Sequence, residues 1–168
     1  MAWAKFGKLN FIFRDEKLPL SLKKQIFNQC IIPVLSYGAE TWTTTKRLER
    51  KLRVTERAME RIMIGVTKRD KVRNQDLRKK TKVRDIVQEI KSKKWRWAGH
   101  LARRKDDRWT YKLTIWTPRA NTRRRGRQRR WIDDIREYGS VTWKRTAQDR
   151  SRWKNDEEAF LQQWREIG

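Results

Sequence analysis

The 168-residue chain carries 45 lysines and arginines against 20 acidic residues, a formal net charge of +25, with ten tryptophans and 36% hydrophobic residues. Self-repulsion of that size calls for a polyanion, so nucleic acid is the expected partner and an anionic membrane a distant second. Apolar residues are too plentiful for a disordered tail and too few for one large core, which predicts a mainly α fold of small helical bundles.

In chain order, Trp3, Phe6, Leu9 and Phe13 stand at near-helical spacing and predict a short amphipathic helix. Pro19 suits a helix start, and Leu22, Ile26, Phe27, Cys30, Ile31, Val34 and Leu35 form the most apolar stretch, with Pro33 placed to kink or end it. Gly38 opens a turn, and Thr43, Thr44 and Thr45 are helix N-cap candidates. Leu48, Leu52, Thr55, Met59, Ile62 and Val66 then make an apolar seam on a helix over about 46–64, with Gly65 placed to stop it. Residues 67–82 read as a basic connector with one short helix around Asp76–Lys80. A second long helix follows, on Val83, Ile86, Val87, Ile90, Trp97 and Leu101. Over 108–117, alternation and β-branched residues leave helix or a short strand pair open. Residues 119–130 form a basic loop, expected to be disordered in the free protein. Short helices anchored by Trp131/Ile135, Trp143/Ala147, Trp153 and Phe160/Trp164/Ile167 complete the chain. The expected divisions are thus 1–66, 67–82, 83–118, 119–130 and 131–168.

Trp131-Ile132-Asp133-Asp134 superficially resembles the aromatic-x-Asp-Asp hairpin of a two-metal polymerase. The surrounding pattern is helical, and two aspartates in a first helical turn complement the dipole or pair with the preceding arginines. Catalytic and metal-binding residues are therefore assigned to none. Cys30 and His100 supply too few ligands for a zinc knuckle, and no Gly-rich phosphate loop or nucleophile elbow is present. Met1 to Phe13 lacks a cleavage-type ending, which argues against secretion. The longest uncharged run, of 15 residues, is too short to span a bilayer.

The sharpest positive signal is the arginine run. Arg119, Arg123, Arg124, Arg125, Arg127, Arg129 and Arg130 are candidates for bidentate phosphate contacts. Lys93, Lys94, Arg96, Arg103, Arg104 and Lys105 extend the basic character upstream. The same run also reads as a nuclear-localisation patch. Trp95 and Trp97 interleave with this charge; they cannot share a helix face, so base stacking by one competes with core filling.

The stretches LPLSLKKQIFNQCIIPVLSYGAETW, KWRWAGHLAR, RRRGRQRRWIDDI and WKRTAQDRSRW occur in that order. Together they resemble the C-terminal portion of the endonuclease–reverse transcriptase of non-LTR (LINE, RTE-like) retrotransposons, over nearly the whole chain. The resemblance implies a thumb-like helical region over 1–66, followed by a C-terminal extension that holds template RNA or target DNA. It further implies that the endonuclease and the palm with its Asp-Asp hairpin lie elsewhere in a parent enzyme using Mg. This stretch would then be a fragment without an enzyme's catalytic domains or a cofactor, with the rest of the polymerase its partner in cis. A stand-alone, host-retained RNA- or DNA-binding protein is the alternative, and a helical scaffold dimerising through the 48–66 seam a third reading.

Overall fold

Phe6, Phe13 and Phe27 cannot all face water on short helices, and their burial organises the start of the chain. In the computed structural model, which describes residues 1–104, 109, 110, 112, 116, 129–139 and 141–162, α1 (Ala2–Lys8) and α2 (Asn10–Arg14) break at Leu9. Phe6 stacks on Phe13 at 4.6 Å, and both meet Phe27 edge-on, arrangements worth roughly 0.5–1.5 kcal/mol per pair beyond area burial. Phe27 belongs to the apolar stretch, in which α3 (Leu20–Ile26) passes through a π-helical turn, Phe27–Ile31, into α4 (Ile32–Leu35). Pro33 accounts for the widened turn: it has no N–H to donate and its ring crowds the carbonyl four residues back.

By its internal contacts the chain divides into two units. The first takes Met1–Tyr37 and Lys46–Ile90, and the second takes Gly38–Thr45 and the described residues from Lys91 on. In the first unit, α5 (Lys46–Met63) matches the expected helix. It ends as Gly65, at φ 69°, lets Val66 N–H reach the Arg61 carbonyl and Gly65 N–H the Ile62 carbonyl, satisfying helix-end acceptors. The buried Lys23 ammonium donates to the Met63 carbonyl at 3.1 Å. Helix α6 (Asn74–Thr81) is the short helix expected in the basic stretch, and α7 (Ile86–Arg103) follows. The division between units falls inside α7 rather than in a loop.

In the second unit, α8 (Asp133–Gly139), α9 (Trp143–Thr146) and α10 (Arg150–Gln162) join the later part of α7. Trp95, Ala98, Ile132, Ile135, Trp143, Ala147, Trp153 and Phe160 form their common core. Trp95 and Trp153 stack at 3.7 Å and lock reciprocally, each indole N–H donating to the other's carbonyl, at 2.8 and 3.0 Å. Gly99 makes room for this, since a methyl group there would overlap the Trp153 indole. Every regular element among the described residues is helical, in agreement with the expected mainly α class. In the segment left open between helix and strand, Trp109, Thr110 and Lys112 are helical and Trp116 N–H bonds the Lys112 carbonyl.

Candidate nucleic-acid interface

The aspartate pair that resembles a polymerase motif sits at a helix start. Both residues occupy the first turn of α8, and Asp133 accepts the Arg130 backbone N–H at 2.7 Å. Asp134 is 1% exposed and its carboxylate is fully engaged. Lys91 and Lys94, each with a fully buried side chain, reach its Oδ2 at 2.7 and 2.8 Å. Thr44 donates to the same oxygen, and Arg129 bridges Oδ1 to Glu137. Burial alone would raise the Asp134 pKa, but Lys94 and Lys91 outweigh it and hold the carboxyl down at about 2. Burial pulls Lys94 down to about 8 against the attraction of Asp134. With its oxygens shared among two ammoniums, a guanidinium and a hydroxyl, Asp134 is a structural hub, and a metal ion would have to displace those cations.

The first unit holds a second buried charge cluster. Glu56 and Glu60 on α5 are fully buried. Arg57 lies 2.9 Å from Glu56 and also contacts Glu60, while Arg78 from α6 approaches Glu60 at 3.3 Å. Thr81 donates to Glu60, and Glu56 accepts the Ile86 N–H at 3.0 Å where α7 begins. Asp85 accepts the Val87 and Gln88 N–H groups and stands 3.6 Å from Arg57. The cluster therefore joins α5, α6 and the start of α7 through matched charge and caps α7 with carboxylates. Burial, and then the charge of Asp85, push the Glu56 carboxyl up to about 8 against the pull of Arg78 and Arg57. Sequence reasoning missed this: the apolar seam is there but half-buried at Leu48, Leu52, Thr55 and Ile62, while the buried stripe includes Glu49, Glu56 and Glu60. Glutamates at the same helical spacing, four apart and beside arginines, were the only signal available.

These clusters correct several sequence-based site residues. Lys94 is not a phosphate contact, because its ammonium is buried on Asp134. Trp95 is not a stacking platform: its ring is 1% exposed and packed by Trp153 and Phe160. Arg129 is tied into the hub through Asp134 and Glu137. Of the pair, Trp97 is the one at the surface, half-buried with its ring 5.5 Å from His100. Arg96 is largely exposed and pairs with Glu157 at 2.8 Å. Arg103 donates to the Ala147 carbonyl, Arg104 to His100 and Arg130 to the Trp116 carbonyl; Lys93 is half-buried. Lys105, Arg119, Arg123, Arg124, Arg125 and Arg127 lie outside the described residues, as does the loop reading of 119–128.

Exposed positive charge sits elsewhere as well: Lys46, Arg47, Arg50 and Lys51 on α5, Lys79 and Lys80 on α6, and Arg150, Arg152 and Lys154 on α10. Among the described residues, no group of three or more His, Cys, Asp or Glu residues is arranged to hold a metal ion, and no helix is long and apolar enough to cross a membrane.

The buried cations Arg57, Lys91 and Lys94 are thus matched to carboxylates and Lys23 to a backbone carbonyl, while many lysines and arginines of the described residues stay exposed. The chain is 36% identical over 168 aligned residues to an uncharacterized transposon-derived protein of Caenorhabditis elegans. The alignment takes in 90% of this chain, which spans 59% of that relative's length. The likeness ties the sequence to proteins of transposon origin. No protein-family model and no solved structure matches it.

Proposed function

We propose that this protein is a nucleic-acid-binding portion of a non-LTR retrotransposon reverse transcriptase, holding template RNA, target DNA or their hybrid through phosphate contacts. It carries no polymerase or endonuclease centre of its own. One observation carries the reading: the buried cations Arg57, Lys91 and Lys94 each have carboxylate partners, whereas a large surplus of lysine and arginine is left at the surface of a chain with net charge +25. A surplus that the fold does not use internally is available to a polyanion. The transposon-derived relative supports the retrotransposon origin, and so does the ordered set of four sequence motifs. Three of these motifs supply the second unit's core, with Trp95 and Gly99 from one, Ile132, Asp134 and Ile135 from another, and Trp143, Ala147 and Trp153 from the third. They therefore belong to a folded module. Mg would belong to the parent enzyme's palm, the working partner would be that polymerase in cis, and the site of action would be the nucleus.

Mobility-shift assays with structured RNA, single-stranded DNA and duplex DNA, run beside primer extension on a primed template with Mg, test this directly. The reading expects retarded complexes that weaken as salt rises, and no extended product. Extended product, or no complex even at low salt, would overturn it.

A further inference from the structure

The segment read as a connector, 67–82, holds eight cations against two aspartates. One of the eight, Arg78, faces the buried glutamates. The other seven, Lys68, Arg69, Lys71, Arg73, Lys79, Lys80 and Lys82, are all exposed. None of the seven has an ion-pair partner among the described residues, although Arg78, next to Lys79 and Lys80 on α6, is paired. The loop that carries the first four is a built turn. Asp70 accepts the Thr67 N–H at 2.6 Å and its hydroxyl at 2.9 Å, Arg69 N–H donates to the Thr67 hydroxyl, and Lys71 N–H bonds the Lys68 carbonyl. One aspartate is therefore committed to shaping the loop. Lys71 and Lys82 stand at φ 50° and 49°, left-handed positions where a lysine side chain is disfavoured relative to glycine or asparagine. Between loop and helix lies a shallow concavity of about 650 Å³ lined by Lys71, Val72, Arg73, Asp76, Lys79 and Lys80.

We propose that this concave face of the first unit is a separate phosphodiester-backbone site, in which Lys71, Arg73, Lys79 and Lys80 grip a nucleic acid independently of base identity. The inference rests on the nucleic-acid reading above and adds a contact region outside the arginine run. Residues 67–82 contain no aromatic side chain, so base stacking has no platform there and recognition is of charge and backbone shape. An anionic membrane fits less well. Leu77 is buried and Val72 half-buried, leaving no exposed apolar side chain in this segment to enter an interface.

The test is fluorescence anisotropy of labelled duplex DNA against the full chain over a salt series. It compares wild type with a variant carrying Lys71→Gln, Arg73→Gln, Lys79→Gln and Lys80→Gln, and with a second changing Arg123, Arg124, Arg125 and Arg127 to Gln. A third variant, Lys71→Arg, Lys79→Arg and Lys80→Arg, keeps the charge, and far-UV circular dichroism checks that all are folded. The quadruple variant at 71, 73, 79 and 80 is expected to bind at least tenfold more weakly. Its log–log salt slope should be shallower by about two to three, at about 0.9 per duplex phosphate contact. The charge-keeping variant should bind like wild type. Unchanged affinity and slope in the quadruple variant, with loss only in the 123–127 variant, would overturn this site and leave nucleic-acid binding intact. Failure of wild type to bind would overturn the function itself. Tighter, residue-dependent binding to phosphatidylserine vesicles than to DNA would overturn the partner assigned here.

Discussion

Asp134 is the carboxylate on which the buried ammoniums of Lys91 and Lys94 and the Arg129 guanidinium converge. Its place in a first helical turn follows from the local pattern, and an arginine partner was foreseeable from the preceding run. Its main partners were not, because Lys91 and Lys94 lie 43 and 40 residues away and sequence patterns report neighbours on one element only. Replacing Asp134 with Asn would leave two buried ammoniums facing a neutral amide, and breaking a buried pair from one side typically costs about 3–5 kcal/mol. Urea unfolding followed by near-ultraviolet circular dichroism should show that loss at pH 7. The Asp134 carboxyl is held at about 2, below its ordinary 3.8. Its contribution is therefore present above about pH 4 and disappears as pH falls through about 2. Wild type and D134N should accordingly converge in stability at the acid end, and equal stability of the two at pH 7 would show that the hub carries no net weight.

At the scale of elements, what sequence predicts best is a helix whose length is set by spacing and a stop signal, and α5 is the case in point. Its span follows from the 4-3-4 spacing and Gly65. What it buries does not, because glutamates are assigned to solvent unless a partner is known, and here the partners are Arg57 on α5 itself, Arg78 and Thr81 from α6 and the Ile86 N–H that opens α7. The resulting junction is pH-sensitive. Glu56 titrates near 8 in the fold against an ordinary 4.5, so its stabilising contribution is complete below about 4.5 and is lost as pH rises through about 8. Thermal melts from pH 5 to 9 should show wild type losing stability relative to Glu56→Gln, which keeps a neutral acceptor for the Ile86 N–H; parallel pH curves would rule this out. The packing of α10 on α7 offers a second test. Gly99→Ala forces a methyl group into the Trp153 indole, an overpacking expected to cost roughly 1–3 kcal/mol, read as a lower urea midpoint. The WRWAG pattern signals that aromatics matter there. Which tryptophan turns inward depends on Trp153, 58 residues on, and so was not readable from the helix alone.

Over the whole molecule, composition is enough to indicate the class: a charge of +25 on a chain with 36% hydrophobic residues yields small helical units with cationic surfaces. Folding then divides the positive residues into two populations. Arg57, Lys91 and Lys94 become internal mortar and Arg129 joins them from the surface, while the cations of the loop 67–73 and of the outer side of α6 stay without ion-pair partners among the described residues. That division removes Lys94 from the expected contacts and points to the basic face of the first unit as an addition to the arginine run. It also sets the measurement that bears most directly on the central claim, the dependence of wild-type binding on salt. Anisotropy of labelled duplex DNA and structured RNA should give log K falling linearly with log salt, with a slope of several units set by the number of phosphates neutralised. A slope near zero, or binding absent at low ionic strength, would mean that the exposed cations do not hold nucleic acid, and would contradict the account.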